Sequence, residues 1–258
     1  MHESLKIQFL GTSTAVPDSG SDTVSFVIND TILVDTGWSS VHNLRMRGID
    51  PTTIRHIIFT HMHHDHYLSL PSLLFYWLMK GKPLDELTII GPSADLRLVV
   101  NASLQFLQTD RFYADRTHPK LVELEDGSRY ENESFQLETC RTKHPVQGLC
   151  CKFVDKAAGK TFAFTGDTAF HPPIAELVQG CPLLIHECSL GPVEANPERN
   201  KALHSGAVDA GKIASLAQVE KLLLVHGTSA SSSQSVEKAA SVFAGPVHWP
   251  ADGEIVLL

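Results

Sequence analysis

Six residues constrain this chain more than any bulk property: His61-Met62-His63-His64-Asp65-His66 follow directly on the apolar run 57–59, which reads as the end of a short strand. A strand running straight into four imidazoles and a carboxylate anchors ligand-type side chains on one short loop, where a rigid element can hold a site in place. Imidazole and carboxylate donors suit zinc and other divalent first-row cations. Two cations a few Å apart need more donors than one loop offers, so further ligands must come from elsewhere. Three other strand signals lead to such residues: His144 lies beyond the alternating 135–139, Asp167 beyond 161–164 and His226 beyond 222–225. One histidine among 14 is most simply a surface residue, but a set whose members all follow strands reads as a metal constellation.

Around these markers the chain alternates strand and helix signals. Strands at 7–10, 24–28 and 31–34, with a turn at Asn29-Asp30, open as a meander. Ser39 is placed to cap a helix closed by Gly48, and Asp50-Pro51 resets the chain before the strand 56–59. The aromatic cluster 75–79 falls on a helix, and further strands are expected at 87–90, 121–124, 135–139, 149–154 and 161–164, with a helix over 94–107. A helix opened by Pro172-Pro173, a strand at 183–186, a helix over 206–216, a strand at 222–225, a helix over 233–243 and a strand near Ile255 complete the series. Strands in two runs, each followed by helices, predict an α/β fold of two sheets packed face to face and covered outside by helices. A chain of 258 residues with no linker or repeat is expected to form this as one domain, 1–258.

Composition narrows the function. Acidic residues outnumber basic ones, 29 to 21, which gives no general pull towards a nucleic-acid backbone. The five cysteines show no CxxC spacing and fit a reduced, cytoplasmic setting. The start lacks a basic and apolar leader, and the run 68–79 is too short to span a bilayer, so no membrane association is expected.

The six-residue stretch resembles the HxHxDH signature of the metallo-β-lactamase superfamily. That resemblance implies a four-layered αββα sandwich with two metals at one edge: His61, His63 and His144 on one, Asp65, His66 and His226 on the other, and Asp167 bridging. Several stretches are closer still to the ribonuclease Z branch: Phe9-Leu10-Gly11-Thr12-Ser13, the run from 60–65 on to Leu70-Pro71-Ser72-Leu73-Leu74, and Thr165-Gly166-Asp167-Thr168. Leu184-Ile185-His186-Glu187-Cys188 resembles its HEA segment, with Cys188 for the small residue, and His204-Ser205-Gly206 its HST segment. The resemblance implies a Glu187–His204 pair beside the metals, and it makes Asp65, His204 and Glu187 the catalytic candidates.

Chemistry agrees. Phosphodiester hydrolysis needs an activated water, neutralised phosphoryl oxygens and help for the leaving alkoxide. Two divalent cations sharing a hydroxide would supply the first two, and an imidazolium held by a carboxylate the third. Zinc is the expected metal, with manganese or iron as alternatives, since no thiolate is in the set.

The branch commonly carries an RNA-gripping arm between the positions of His144 and Asp167. Here a strand, a turn at 155–160 and another strand consume that interval. The expectation is therefore a phosphodiesterase acting on a small or cyclic phosphodiester. Processing of transfer RNA at its 3′ end, and thiolester or lactone hydrolysis, stand as alternatives. A homodimer is expected through the aromatic segment 75–79, as in the branch. His64 has no match in the signature and should point away. Ser13 and Thr14 fit either a phosphate contact or a turn. Thr228 to Ser231 could orient His226, His171 and Cys188 could line the pocket, and Arg111, Tyr113, Arg116 and His118 read as a solvated loop.

Overall fold

Alternation along the strands decides the layering. In β3 (Ile32–Val34) and β4 (His56–Ile58), Leu33 and Ile57 face one way while Val34 and Ile58 face the other, so both faces of the sheet are apolar and both must be covered. The computed structural model describes residues 4–113 and 118–258. Its first sheet joins β1 (Lys6–Gly11), β2 (Ser25–Ile28), β3, β4, β5 (Thr88–Pro92) and β6 (Lys120–Leu124), with β14 (Ile255–Leu257) beside β1. The second joins β7 (Arg129–Glu131), β8 (Phe135–Arg141), β9 (Leu149–Asp155), β10 (Lys160–Phe164), β11 (Leu183–Glu187), β12 (Lys221–Val225) and β13 (Val247–His248) in that spatial order.

Val34, Ile58, Phe9 and Phe26 of the first sheet meet Phe135, Phe153, Phe162, Phe164 and Ile185 of the second in one central apolar cluster. The outer face of the first sheet is covered by α1 (Ser40–Met46), α3 (Leu70–Met79) and α4 (Leu96–Phe106), through Leu44, Leu74, Trp77 and Val100. The outer face of the second is covered by α6 (Pro173–Leu177), α7 (Ala207–Leu216) and α8 (Ser232–Ala240), through Ile174, Ile213 and Ala239. The result is the expected αββα sandwich. Two short helices, α2 (His64–Tyr67) and α5 (Thr109–Phe112), sit on connections. No helix of the described residues is long and apolar enough to cross a membrane.

Parallel pairing creates the site's location. β3 and β4 run parallel, as do β10, β11 and β12, while β8 reaches β10 through two antiparallel steps and so shares its direction. All their C-terminal ends therefore open along common edges.

Some local expectations needed correction. Ser39 stands at the N-cap of α1 but makes no side-chain capping bond. β7 escaped the sequence pattern because Arg129-Tyr130-Glu131 is a polar edge strand, and β13 because two residues between prolines carry no period. α8 ends at Ala240 rather than 243, and Phe243 turns into the core against the second sheet's outer face. Arg116 lies outside the described residues.

Candidate metal centre

Each ligand candidate is delivered by a strand end. Beyond β4 the chain passes Phe59-Thr60 to His61, which forms a backbone bridge with Gly148, and the motif then coils into the single turn α2 with His63 at its N-cap. His144 follows β8, Asp167 follows β10 and His226 follows β12. His61, His63, His144 and Asp167 each present one donor atom, all within 4.8 Å of one another, and Asp65, His66 and His226 form a second such set. Asp167 Oδ2 lies 3.6 Å from both His61 Nε2 and His66 Nε2, so this carboxylate stands between the two sets. Every residue expected at the centre is thus brought to it. His64 is exposed and packs on Tyr67, away from the cluster.

The donors fit divalent cations better than they fit one another. His63 Nδ1 meets His61 Nε2 at 3.2 Å and His144 Nε2 at 2.9 Å, and one proton cannot serve both contacts. In the other set Asp65 Oδ2 is 3.3 Å from both His66 Nε2 and His226 Nε2. A tetrahedral ion with ligands at about 2.0–2.1 Å requires donors roughly 3.3 Å apart. Two buried atoms, Asp167 Oδ1 and His66 Nε2, make no hydrogen bond, which is costly unless a cation satisfies them.

A polar shell behind the donors assigns the imidazole tautomers. His66 Nδ1 donates to Asp35 Oδ2 at 2.8 Å; His61 Nδ1 donates to Thr60 Oγ1 at 3.1 Å, and that hydroxyl donates to Asp35 Oδ2 at 2.8 Å. His144 Nδ1 reaches the Leu203 carbonyl at 3.3 Å, and His226 Nδ1 donates to Ser189 Oγ at 2.7 Å. Four of the five rings therefore turn Nε2 to the centre, and His63 turns Nδ1. Asp35, Leu203 and His226 all hold left-handed backbone, with φ of 51°, 58° and 60°. Such strain costs about 1–3 kcal/mol per residue and persists where surrounding bonds impose it. Gly166 also has positive φ, and a Cβ there would lie 2.7 Å from Thr60 Cβ, so only glycine lets β10 turn into Asp167.

Protonation follows burial and charge. Burial, then the neighbouring His66, holds His61 well below its ordinary value; burial lowers His63 and His144 too, leaving all three as the neutral form that ligates. Burial opposes the charge on His66, yet Asp35 and Asp167 outweigh it and hold that ring well above its ordinary value. Burial would raise Asp167 and Asp65, but the surrounding imidazoles keep both carboxyls below the usual range.

Glu187, at the end of β11, is buried and accepts five hydrogen bonds. Its Oε1 takes those of Thr168 N at 3.0 Å, Ser205 N at 3.1 Å and His204 Nδ1 at 2.9 Å. Its Oε2 takes Ser189 N at 2.9 Å and Ser189 Oγ at 2.7 Å. One carboxylate thus orients His204 directly and His226 through Ser189. The His204 ring lies 5.1 Å from that of His144 and 5.8 Å from that of His226. Burial works against its charge, but the hydrogen bond and charge of Glu187, with Asp167 and Asp65, push it up to about 9.

Other candidates take different roles. Thr228 Oγ1 pairs with Ser231 Oγ and Ser229 bonds to Asp18, so Ser189 orients His226 and these hydroxyls do not. Ser13 is buried, its N–H donating to the Asp22 carbonyl at 2.9 Å in a bridge to the segment at Thr23, so that N–H is not free for a phosphate. Cys188 is sealed under α7, and burial pushes its thiol up to about 12, so it is inert. Arg111 lies over Phe112, and His118 lines a separate cavity beside α4.

Comparison with known proteins follows the same line. A family model described as "Beta-lactamase superfamily domain" matches residues 30–227. Ribonuclease Z of Latilactobacillus sakei is 24% identical, over 86% of this chain and 86% of that protein. Among solved structures, the metallo-beta-lactamase fold protein YhfI of Bacillus subtilis superposes with a TM-score of 0.83 at 23% identity, covering 99% of this chain and 100% of that one. Human tRNase Z, short form, gives a TM-score of 0.75 at 20% identity, covering 97% and 98%.

Proposed function

Since this chain belongs to the metallo-β-lactamase superfamily, in its ribonuclease Z-like branch, we propose that it is a dinuclear-metal phosphodiesterase acting on a small or cyclic phosphodiester. The observation that carries the reading is the Glu187–His204 pair, 2.9 Å between oxygen and nitrogen, set against the ligand cluster. Thiolester hydrolysis needs no such group, because a thiolate departs unaided. Departure of an alkoxide does, because charge accumulates on the leaving oxygen.

His61, His63 and His144 would hold one cation, Asp65, His66 and His226 the other, and Asp167 both, with zinc as the metal. When bound, such cations lower the pKa of water and neutralise phosphoryl oxygens. The chain's own residues do the rest. Asp35, Thr60, Ser189 and the Leu203 carbonyl hold the imidazoles with the ligating nitrogen facing inward. Glu187 fixes His204 Nδ1, which leaves Nε2 free to donate its proton to the leaving oxygen. Glu187 is a positioning residue in this account.

The small-substrate reading is supported by the interval between His144 and Asp167. β9 and β10 occupy residues 149–155 and 160–164, and their turn leaves no chain for an RNA-gripping arm. The catalytic unit is proposed to be one domain, 1–258, paired as a homodimer through the exposed Phe75 and Met79 of α3.

Turnover of bis(p-nitrophenyl) phosphate by the metal-loaded protein is the direct test. With two cations bound per chain by elemental analysis, absence of hydrolysis would overturn the assignment. A transfer-RNA precursor cut far faster than small diesters would favour the ribonuclease Z reading.

A further inference from the structure

A cavity of about 510 Å³, a size suited to a small molecule, opens beside the ligand cluster and shares His144 with it as a wall. Arg141, Lys143 and His171 also line it. These groups are set by the fold: Arg141 ends β8, and residues 141–144 carry the chain from that strand to the ligand.

Among the described residues, some surface cations of this chain are held by carboxylates, and those lining this pocket are not. Arg97 pairs with Glu123, Arg129 with Glu138, Lys6 with Asp30 and Lys212 with Glu194. In a chain with 29 acidic residues, neither the Arg141 nor the Lys143 side chain forms an ion pair among the described residues. The backbone N–H of Arg141 donates to Asp126 Oδ1 at 2.8 Å, and that of Lys143 to Thr168 Oγ1 at 3.1 Å, so the main chain is fixed while both cationic heads stay available. Asp126 lines the cavity as well, which leaves one net positive charge. Burial, then the Lys143 charge, holds His171 below its ordinary value, so at neutral pH it serves as an uncharged donor. A guanidinium, an ammonium and a neutral imidazole N–H, carried by residues that line one pocket, are donor types that match the oxygens of a phosphate.

We propose that this cavity is a subsite for a second phosphoryl group, so that the preferred substrate is a small phosphodiester that also bears a terminal phosphomonoester. The proposal rests on the phosphodiesterase reading and adds the substrate class to it. The diester is cleaved beside His144 while Arg141, Lys143 and His171 hold the terminal phosphate.

The test compares thymidine 5′-(p-nitrophenyl phosphate) with its 3′-phosphorylated form, using the full-length metal-loaded protein and p-nitrophenolate release. The wild type should favour the 3′-phosphorylated diester in kcat/KM by at least about tenfold, the contribution of a single charge-assisted hydrogen bond, mainly through KM. In the double variant Arg141→Gln/Lys143→Gln that ratio should fall towards one. A ratio cancels any general loss of activity or folded fraction. Equal rates in the wild type, a preference that survives the double variant, or an equal gain from a 3′-succinyl analogue would each overturn the phosphoryl subsite. So would a transfer-RNA precursor cut far better than either diester.

If neither diester is hydrolysed, the phosphodiesterase reading itself fails. The subsite is then judged by calorimetric binding of thymidine 3′,5′-bisphosphate. Affinity weakened about tenfold in the double variant supports it, and equal affinity overturns it.

Discussion

Asp35→Asn should weaken the metal set made by Asp65, His66 and His226 while leaving the fold intact. The carboxylate is buried and accepts three hydrogen bonds: Thr60 N at 2.9 Å, Thr60 Oγ1 at 2.8 Å and His66 Nδ1 at 2.8 Å. Asparagine keeps one acceptor oxygen for Thr60 N but turns an NH2 towards His66. The ring answers by moving its proton to Nε2, the atom that must ligate. Two hydrogen bonds to Asp35 Oδ2 are lost, from Thr60 Oγ1 and His66 Nδ1; the one from the ligand ring, about 1.5–3 kcal/mol, should raise the Kd at this set roughly 10- to 100-fold. The backbone does not confuse the result, because φ at Asp35 is 51° and asparagine tolerates that region. Asp35→Ala leaves three buried donors unserved and should cost about 3–5 kcal/mol of stability as well. Chelator competition resolves the two metal-binding steps, and thermal unfolding reports the fold. Two metals bound by Asp35→Asn with wild-type affinity would refute the tautomer argument.

Three further outcomes are expected. His204→Ala should lower kcat roughly 100-fold or more on a diester with an alkyl leaving group and far less on one releasing p-nitrophenolate, with metal content unchanged; equal losses on both would deny His204 its role as proton donor. In the metal-free protein the His204 imidazole should titrate at about 9 by NMR, and in Glu187→Gln, where burial is less opposed, well below that. Because the folded value lies above the ordinary one, the protonated ring contributes stability that is fully present below about 6.5 and lost as pH rises through about 9; unchanged titration in Glu187→Gln would count against the pair. Removing the metals should lower the melting temperature, each site at a hundredfold excess over its Kd contributing about 2.7 kcal/mol; a calorimetric Tm indifferent to chelation would argue against divalent sites.

The ligand candidates were legible in the sequence because each follows a strand signal, apolar or alternating, so period and residue type point to the same place. The sandwich was legible for a related reason: β3, β4, β11 and β12 carry apolar residues on both faces, and such strands demand cover on both sides. The shell behind the ligands was harder to see. Asp35 obeys the same rule as Asp167, a carboxylate just past the apolar run 31–34, and could have been found by applying it again. Ser189 and Leu203 offered no such signal, since a serine and a main-chain carbonyl gain meaning only from a fold that sets them beside His226 and His144. The Thr228 to Ser231 hydroxyls misled for the opposite reason: adjacency to His226 in sequence is no guide once the chain turns at a φ of 60° there.

The way the shell divides between the sheets explains how the donor atoms are held in place. Asp35, Thr60, His61 and His66 all follow strands of the first sheet and bond among themselves. Glu187, Thr168, Ser189, His204 and His226 belong to the second sheet's connections and do the same. Each half is therefore ordered by its own sheet. Where the halves meet, the side chains in contact are ligand candidates: His63 with His144, Asp65 with His226, and Asp167 with His61 and His66. Cations would join two prepared surfaces rather than organise a loose one, and that lowers the entropy lost on binding. His204 lies wholly within the second half, so its orientation by Glu187 does not depend on the metals. In its proposed role as proton donor, His204 fixed in this way would meet each substrate already aligned, and it is the part of the centre that chelation should leave in place.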